Sequence, residues 1–484
     1  MVKIINKIKE APIQIKSSAL FFVALAIQKA STALSLMIFT RLMSTADYGQ
    51  FSIFNSWLSI WRIVVTLCLS AGIYMQGLVK FEDDRKRFES SMQGFSFFLC
   101  VTWLIVFILF RNYINPLFGF STFQMILALA IIWSNSVFDF WSASERVNFQ
   151  CVRIFVLALI VALIKPLVCY LTISFSYNKV TGWILGIALT DFVAYSYLFI
   201  LALNRGRTFF EKSYWLYALS FSIPLIPHYL SQTVLNSADR IMIGKIVGDS
   251  EAGIYNLAYS IAMMLTMISK AIVSMLNPWI YRKIKSKRVK DIAGIGYVSL
   301  GVVATVNLIL ISIAPEVIAI VAPSEYHEAI WIITPVAISS YFMFGYDLFS
   351  EFAFYYNKTL LIMFASLLGA ILNIALNLVC INIWGYLAAG YTTLLCFVIY
   401  ALVHYLVMNS ICKKYIQKEP VYNWKILLSI SVVFIVIAFL YMYSYKYNLV
   451  RIAISIVLIV IVFIISPRLK KYVLSVSRIE SSNN

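Results

Sequence analysis

The chain has 484 residues, 62% apolar and 12% charged, with a mean hydropathy of +0.86 and a formal charge of +18. That composition excludes a water-soluble globule of this size, and the basic charge comes with no recognisable nucleic-acid motif, which argues against a nucleic-acid partner. The apolar runs approach or exceed the roughly 18 residues a helix needs to cross a bilayer, and they lack the strict alternation of membrane-barrel strands. The expected fold is therefore an all-α polytopic membrane protein, because lipid leaves every backbone polar group to be satisfied inside its own helix.

In chain order the spans are predicted near 19–39, 51–75, 92–110, 121–143, 153–175 and 181–203, then near 214–236, 253–280, 292–314, 329–350, 361–383 and 386–408. Two further spans near 424–444 and 450–467 bring the total to about fourteen. A repeat runs through this series at a spacing of about 200 residues. Arg41 closes the first apolar segment and Arg240 the seventh, and the connections that follow end in Asp47-Tyr48-Gly49-Gln50-Phe51 and Glu251-Ala252-Gly253-Ile254-Tyr255. A basic loop follows each copy, Lys80 to Arg87 and Arg282 to Lys290. Because each copy holds an even number of spans, both enter the membrane in the same direction, as parallel repeats about an axis along the bilayer normal. The expected organisation is a six-helix bundle over 1–203, a cytoplasmic linker over 204–213, a second six-helix bundle over 214–408, and an extra pair of spans with a cytoplasmic tail over 409–484. This is the build of a transporter.

Lys and Arg fix the expected orientation. With the N-terminus cytoplasmic, the inside segments carry 28 of the 39 basic residues and the outside loops 7. Such an asymmetry over short loops is the positive-inside pattern and places both termini in the cytoplasm. The basic, then apolar, N-terminus resembles a signal peptide, but its apolar stretch is long and lacks an evident cleavage site, so it reads as an uncleaved first span. The seven cysteines map to spans or their cytoplasmic ends and imply no disulfide framework. His228, His327 and His404 are far apart, and no HExxH, CxxC, Walker-type or GxGxxG motif is present, so no metal site, cofactor or nucleotide motor is expected. The energy for transport would come from a Na+ or H+ gradient, the membrane potential or the substrate's own gradient.

Charges inside the spans carry the functional information, since each costs on the order of 2.5–3.5 kcal/mol at a helix centre on the insertion scale. Lys29, Arg62, Lys165 and Lys270 are the cations, set against Asp191 in mid-span and Asp139, Asp347 and Glu351 nearer the cytoplasmic ends. A wet cavity with surplus positive charge selects an anion, and phosphate or pyrophosphate suits Lys and Arg donors. The bland alternative is that Lys29 and Lys270 snorkel to an interface or pair with Asp191. Arg41 and Arg240 read either as clamps at helix C-termini, where the dipole favours a cation, or as an outer gate meeting Asp47, Asp239 or Glu251. Asp347 and Glu351, one turn apart, would form the inner gate or a solvated helix end. Asp191 is a weak ion-coupling candidate. Pro224 and Pro227 mark a helix bend in span 7, and Asn373 and Asn377 in span 11 read first as helix packing.

The run Asn236-Ser237-Ala238-Asp239-Arg240-Ile241-Met242-Ile243-Gly244, leading into Gly253-Ile254-Tyr255-Asn256-Leu257-Ala258-Tyr259, resembles the signature around spans 7 and 8 of polysaccharide flippases. Arg41 to Phe51 resembles its N-terminal counterpart. With twelve spans plus a final pair, the chain is similar throughout to the Wzx O-antigen flippases of the multidrug/oligosaccharidyl-lipid/polysaccharide exporter (MOP) superfamily. The resemblance implies that an undecaprenyl-pyrophosphate-linked oligosaccharide, the O-antigen repeat unit, moves from the cytoplasmic to the periplasmic leaflet of a bacterial inner membrane. It also implies alternating access around a central cationic cavity, with membrane lipids and adjacent machinery such as a polysaccharide polymerase and a chain-length regulator as the expected partners. Rival readings are a multidrug-type cation antiporter and, less favoured, a membrane polymerase or ligase.

Overall fold

A computed structural model of the chain describes residues 13–70, 73–286, 288–416, 420–460, 463 and 467. Among them the regular structure is helical. The helices are α1 (Ile13–Leu42), α2 (Thr45–Thr66), α3 (Ile73–Lys80), α4 (Arg85–Phe118), α5 (Thr122–Val147), α6 (Cys151–Phe175), α7 (Lys179–Gly206) and α8 (Lys212–Ile246). They continue as α9 (Asp249–Met263), α10 (Thr266–Lys285), α11 (Lys290–Ser312), α12 (Ala314–Val321), α13 (Ile330–Tyr355), α14 (Thr359–Trp384), α15 (Ala388–Tyr415), α16 (Trp424–Tyr443) and α17 (Asn448–Val460). Ten candidate spans among the described residues are long and apolar enough to cross a membrane, counting α9 and α10 together. The protein is a multi-pass membrane protein. Each of the fourteen expected spans falls on a helix or a broken helix, the last being described only to Val460.

The chain divides into two compact units, Met1–Ser237 and Ala238–Asn484. The boundary lies inside α8, downstream of the linker expected at 204–213. In the first unit, Tyr214 and Ala218 at the start of α8 belong to a core cluster with Leu69, Tyr74, Leu78, Phe88, Met92, Phe95 and Phe140. Trp215 stacks on Phe95 at 4.2 Å and donates its indole N–H to the Ser91 hydroxyl at 3.1 Å. The linker itself is a tight turn against α4: a Cβ on Gly206 would sit 2.1 Å from the Lys86 carbonyl oxygen. The start of α8 is thus fastened to the first unit by aromatic burial, which the break in hydrophobicity at 204–213 does not reveal.

In the second unit α13 is the central helix, packed against α9, α10, α11, α15 and α16. It is the most buried of the candidate spans, and its polar positions Thr334, Ser339, Ser340 and Ser350 all lie inside.

Two expected spans are not continuous. Span 2 breaks between α2 and α3, where Leu67 and Cys68 adopt left-handed backbone conformations with φ of 50° and 55°. For residues other than glycine that conformation costs roughly 1–2 kcal/mol each. Span 8 breaks between α9 and α10 through Met264 and Leu265, whose φ values of −58° and −68° are right-handed. The breaks occupy equivalent places in the repeat, and only the first is strained.

Candidate functional site

Four helices of the first unit carry one charged constellation. Arg62 stands on α2 one turn before its end, Asp139 on α5, Lys165 on α6 ahead of Pro166, and Asp191 on α7. The Arg62 guanidinium donates to Asp139 Oδ2, and the Ser70 hydroxyl donates to the same oxygen at 3.3 Å. Lys165 Nζ lies 2.5 Å from Asp191 Oδ1, and Asn135 Nδ2 donates to Asp191 Oδ2 at 3.5 Å. Asn135 and Asp139 are one turn apart on the same face of α5, so this face touches both ion pairs. Tyr195, one turn beyond Asp191 on α7, packs against Phe138 at 4.8 Å and lies within electrostatic range of both carboxylates. Arg146 of α5 also acts on Asp139.

Exposure distinguishes the members. The Asp191 side chain is 1% exposed, whereas Arg62, Asp139 and Lys165 are 43%, 31% and 32% exposed. Asp191 is a buried charge that needs its cation; Arg62 and Lys165 are cations that the protein leaves partly uncovered. Phosphate oxygens compete well for such donors because a guanidinium binds them in a two-pronged fashion.

The expected outer-gate residues of the first repeat serve their own helix ends. Arg41 Nη1 donates to the Met37 carbonyl at 3.0 Å, and Lys179 Nζ donates to that of Leu42 at 2.9 Å, so two cations occupy the negative end of the α1 dipole. Asp47 closes a capping box at the start of α2: its backbone N–H donates to the Ser44 hydroxyl oxygen at 3.1 Å, and its carboxylate accepts from Ser44. Lys29 lies on α1, and its side chain is outside the described residues.

Span 7 is expected near 214–236, with Asp239 and Arg240 at its outer end. Instead α8 runs unbroken through Pro224 and Pro227 to Ile246, and both residues are helical and buried. Asp239, fully buried, accepts hydrogen bonds from Tyr255 of α9 at 2.6 Å, Thr393 of α15 at 2.7 Å and Asn377 of α14 at 2.5 Å. Thr392 donates to Asn377 Oδ1, and Asn377 Nδ2 reaches Asn373 Oδ1 at 3.3 Å. The Arg240 guanidinium lies over the Tyr259 ring, 4.3 Å from its centroid. Glu251 stands in the first turn of α9, where the helix dipole favours an acid.

Lys270, on α10 beyond the break, is exposed, and its charge acts on Asp347 of α13. Glu351, one turn further along α13 and buried, is engaged by Tyr281 and Asn277 of α10.

The family model for polysaccharide biosynthesis proteins matches residues 15–284, more than half of the chain. The chain belongs to the polysaccharide biosynthesis protein family. A second model, MatE, matches residues 224–379. Two proteins of Haemophilus influenzae are similar over shorter stretches. Protein 1 of the Lsg locus is 26% identical over 161 residues, 33% of this chain and 40% of that one, and an uncharacterized membrane protein is 25% identical over 173 residues, 35% and 43%. The chain thus spans about two fifths of the length of these curated relatives. Among solved structures, the lipid II flippase MurJ in an inward closed conformation superposes with a TM-score of 0.69 at 15% identity, covering 93% of this chain and 99% of that one. An inward-facing multidrug resistance MATE transporter of the MOP superfamily gives 0.65 at 12% identity, covering 81% and 99%, and the Vibrio cholerae transporter VcmN gives 0.55 at 13%, covering 83% and 98%. This member of the polysaccharide biosynthesis protein family therefore has the MOP-superfamily fold.

Several residues that build these clusters carry no charge and stand out in no sequence pattern: Ser70, Asn135, Tyr195 and Thr393. Their signal was one-turn spacing from a charged residue, Asn135 to Asp139 and Asp191 to Tyr195, which marks a shared helix face without saying what the face meets.

Proposed function

We propose that this protein is a flippase that moves an undecaprenyl-pyrophosphate-linked oligosaccharide, the O-antigen repeat unit, from the cytoplasmic to the periplasmic leaflet of a bacterial inner membrane. The observation that carries the reading is the pair of partly uncovered cations, Arg62 on α2 and Lys165 on α6 of the first unit, of which Arg62 is held by a partly exposed carboxylate that a pyrophosphate is able to replace. Family membership and a fold shared with MurJ support it. In this mechanism the pyrophosphate and sugars travel on protein donors during alternating access while the polyprenyl tail stays in lipid, so the charged group never meets bare hydrocarbon. Both termini face the cytoplasm, and a polymerase and a chain-length regulator act on the product.

For the coupling ion, Na+ or H+, Asp239 is a better site than Asp191. Lys165 already compensates Asp191, whereas the groups that donate to Asp239, namely the Tyr255 and Thr393 hydroxyls and the Asn377 amide N–H, are all neutral.

The experiment is charge reversal in the producing host. Arg62→Glu should abolish long surface polysaccharide while the protein still reaches the membrane, as should Lys165→Ala combined with Asp191→Asn, which strands no buried charge; unchanged polysaccharide contradicts the cationic site. The MatE match over 224–379 favours one other reading, a multidrug-type cation antiporter. That reading requires the gene to confer resistance to cationic dyes, with polysaccharide unaffected by its loss.

A further inference from the structure

The joint between α2 and α3 stores backbone strain at two consecutive residues, Leu67 and Cys68. Such conformations persist where their surroundings impose them, and they collect at ligand clamps and switch regions. The equivalent joint of the second unit, at Met264 and Leu265, is unstrained, so the repeat architecture does not require the strain.

The first joint is held from both sides by one oxygen atom. Upstream, Arg62 donates to Asp139 Oδ2 while its backbone carbonyl accepts from the Thr66 hydroxyl at 2.7 Å. Downstream, Ser70 donates to the same Asp139 oxygen at 3.3 Å. Asp139 thus clasps the two ends of the stretch from Arg62 to Ser70, with the strained pair inside it. Leu69, between that pair and Ser70, is fully buried in the core, which anchors the downstream end.

We propose that Asp139 is the positioning counter-ion of a phosphate-binding site on Arg62: an incoming phosphate or pyrophosphate ester takes the guanidinium from Asp139, the clasp opens, and the joint at Leu67–Cys68 relaxes. The inference rests on the reading that Arg62 receives an anionic headgroup. Two features permit the exchange. Arg62 and Asp139 are both partly uncovered by protein, and Arg146, two turns beyond Asp139 on α5, remains within electrostatic range of it once Arg62 has left. The phosphate has more oxygen acceptors and more charge than the carboxylate it replaces, so it wins the guanidinium. Binding in the first unit is thereby converted into a change in the backbone of span 2.

The test uses the full-length protein in lipid nanodiscs, with inorganic pyrophosphate as the probe, and reads calorimetric affinity together with hydrogen–deuterium exchange in peptides covering Arg62 to Lys80. Wild type should bind pyrophosphate and exchange faster across that segment when it does. Asp139→Asn should show the faster exchange without any probe, and should bind pyrophosphate roughly tenfold more tightly because the internal competitor is gone. An ion pair with a merely structural role gives the opposite sign, weaker binding in Asp139→Asn. Wild-type exchange in that variant, or weakened binding, overturns the proposal. Should Asp139→Asn fail to accumulate, Ser70→Ala carries the exchange arm: faster exchange across 67–80 supports the clasp, and exchange equal to wild type overturns it. Failure of the underlying reading has a separate signature, namely Arg62→Gln binding pyrophosphate as wild type does; this removes Arg62 as the anion site whatever the exchange shows.

Discussion

Asp191 is sealed from solvent and depends on a single ammonium group, Lys165, 2.5 Å away. Removing one partner of a buried pair strands the other, at a typical cost of 3–5 kcal/mol, while removing both charges together is far milder. Lys165→Ala should therefore destabilise the protein by about 3 kcal/mol, and Lys165→Ala with Asp191→Asn should recover most of that loss. Thermal unfolding in detergent measures both; equal losses in the single and double variants would show that Lys165 matters for some reason other than pairing. At this scale the sequence was informative about which residues are charged within the membrane, because charge there is expensive and conspicuous. It was a poor guide to pairing: Lys270 reads as a partner for Asp191 but acts on Asp347, and the cation on Asp191 is Lys165. Arg62 and Asp139 are 77 positions apart, and no local pattern announces that α2 and α5 bring them together. Asp239 is a related case: a charged pair at the end of an apolar run marks a helix end, and it is the neutral donors on α9, α14 and α15 that make its position a stable helix interior.

Elements carry two kinds of information that residue types alone confuse. Asp47 lies beside the arginine-glycine pattern that invites a gate, yet its hydrogen bonds form a capping box at the start of α2. Losing the carboxylate half of the box, while Ser44 still accepts from the backbone N–H of residue 47, costs at most about 1 kcal/mol. Asp47→Ala should lower thermal stability by at most that amount and leave surface polysaccharide at wild-type levels; a stable variant that makes no polysaccharide would restore Asp47 to a gate. Asp239, by contrast, links α8 to α9, α14 and α15 and is proposed to hold the coupling ion. An ion that binds only the folded protein raises its stability by an amount set by concentration over affinity. Wild type should gain thermal stability from Na+ or from a change in pH, and Asp239→Asn should lose that response; a response that survives in the variant places the ion elsewhere. The breaks in spans 2 and 8 were illegible because both runs stay apolar across the joint. What stops α2 is backbone geometry at Leu67 and Cys68, not a proline or glycine at that point.

For the whole molecule the long-range regularities were the readable ones. The 200-residue repeat and the basic loops gave the fourteen-span register that the helices follow, because membrane thickness and backbone satisfaction leave so few solutions. The division between compact units was not readable: it depends on Tyr214, Trp215 and Ala218 packing into the first unit, a matter of surface fit. Topology is open to direct test with alkaline phosphatase fusions. A fusion after Lys414 should be inactive and one after Lys446 active if both termini are cytoplasmic, as proposed; the reverse pattern contradicts that orientation. The central claim, movement of a lipid-linked oligosaccharide between leaflets, is tested most directly by deleting the gene in its host and assaying undecaprenyl-linked repeat units in each leaflet. The account predicts repeat units trapped on the cytoplasmic side, with export restored by the wild-type gene and not by Arg62→Glu. Repeat units that reach the periplasmic leaflet in the deletion strain but fail to join into long chains would contradict it.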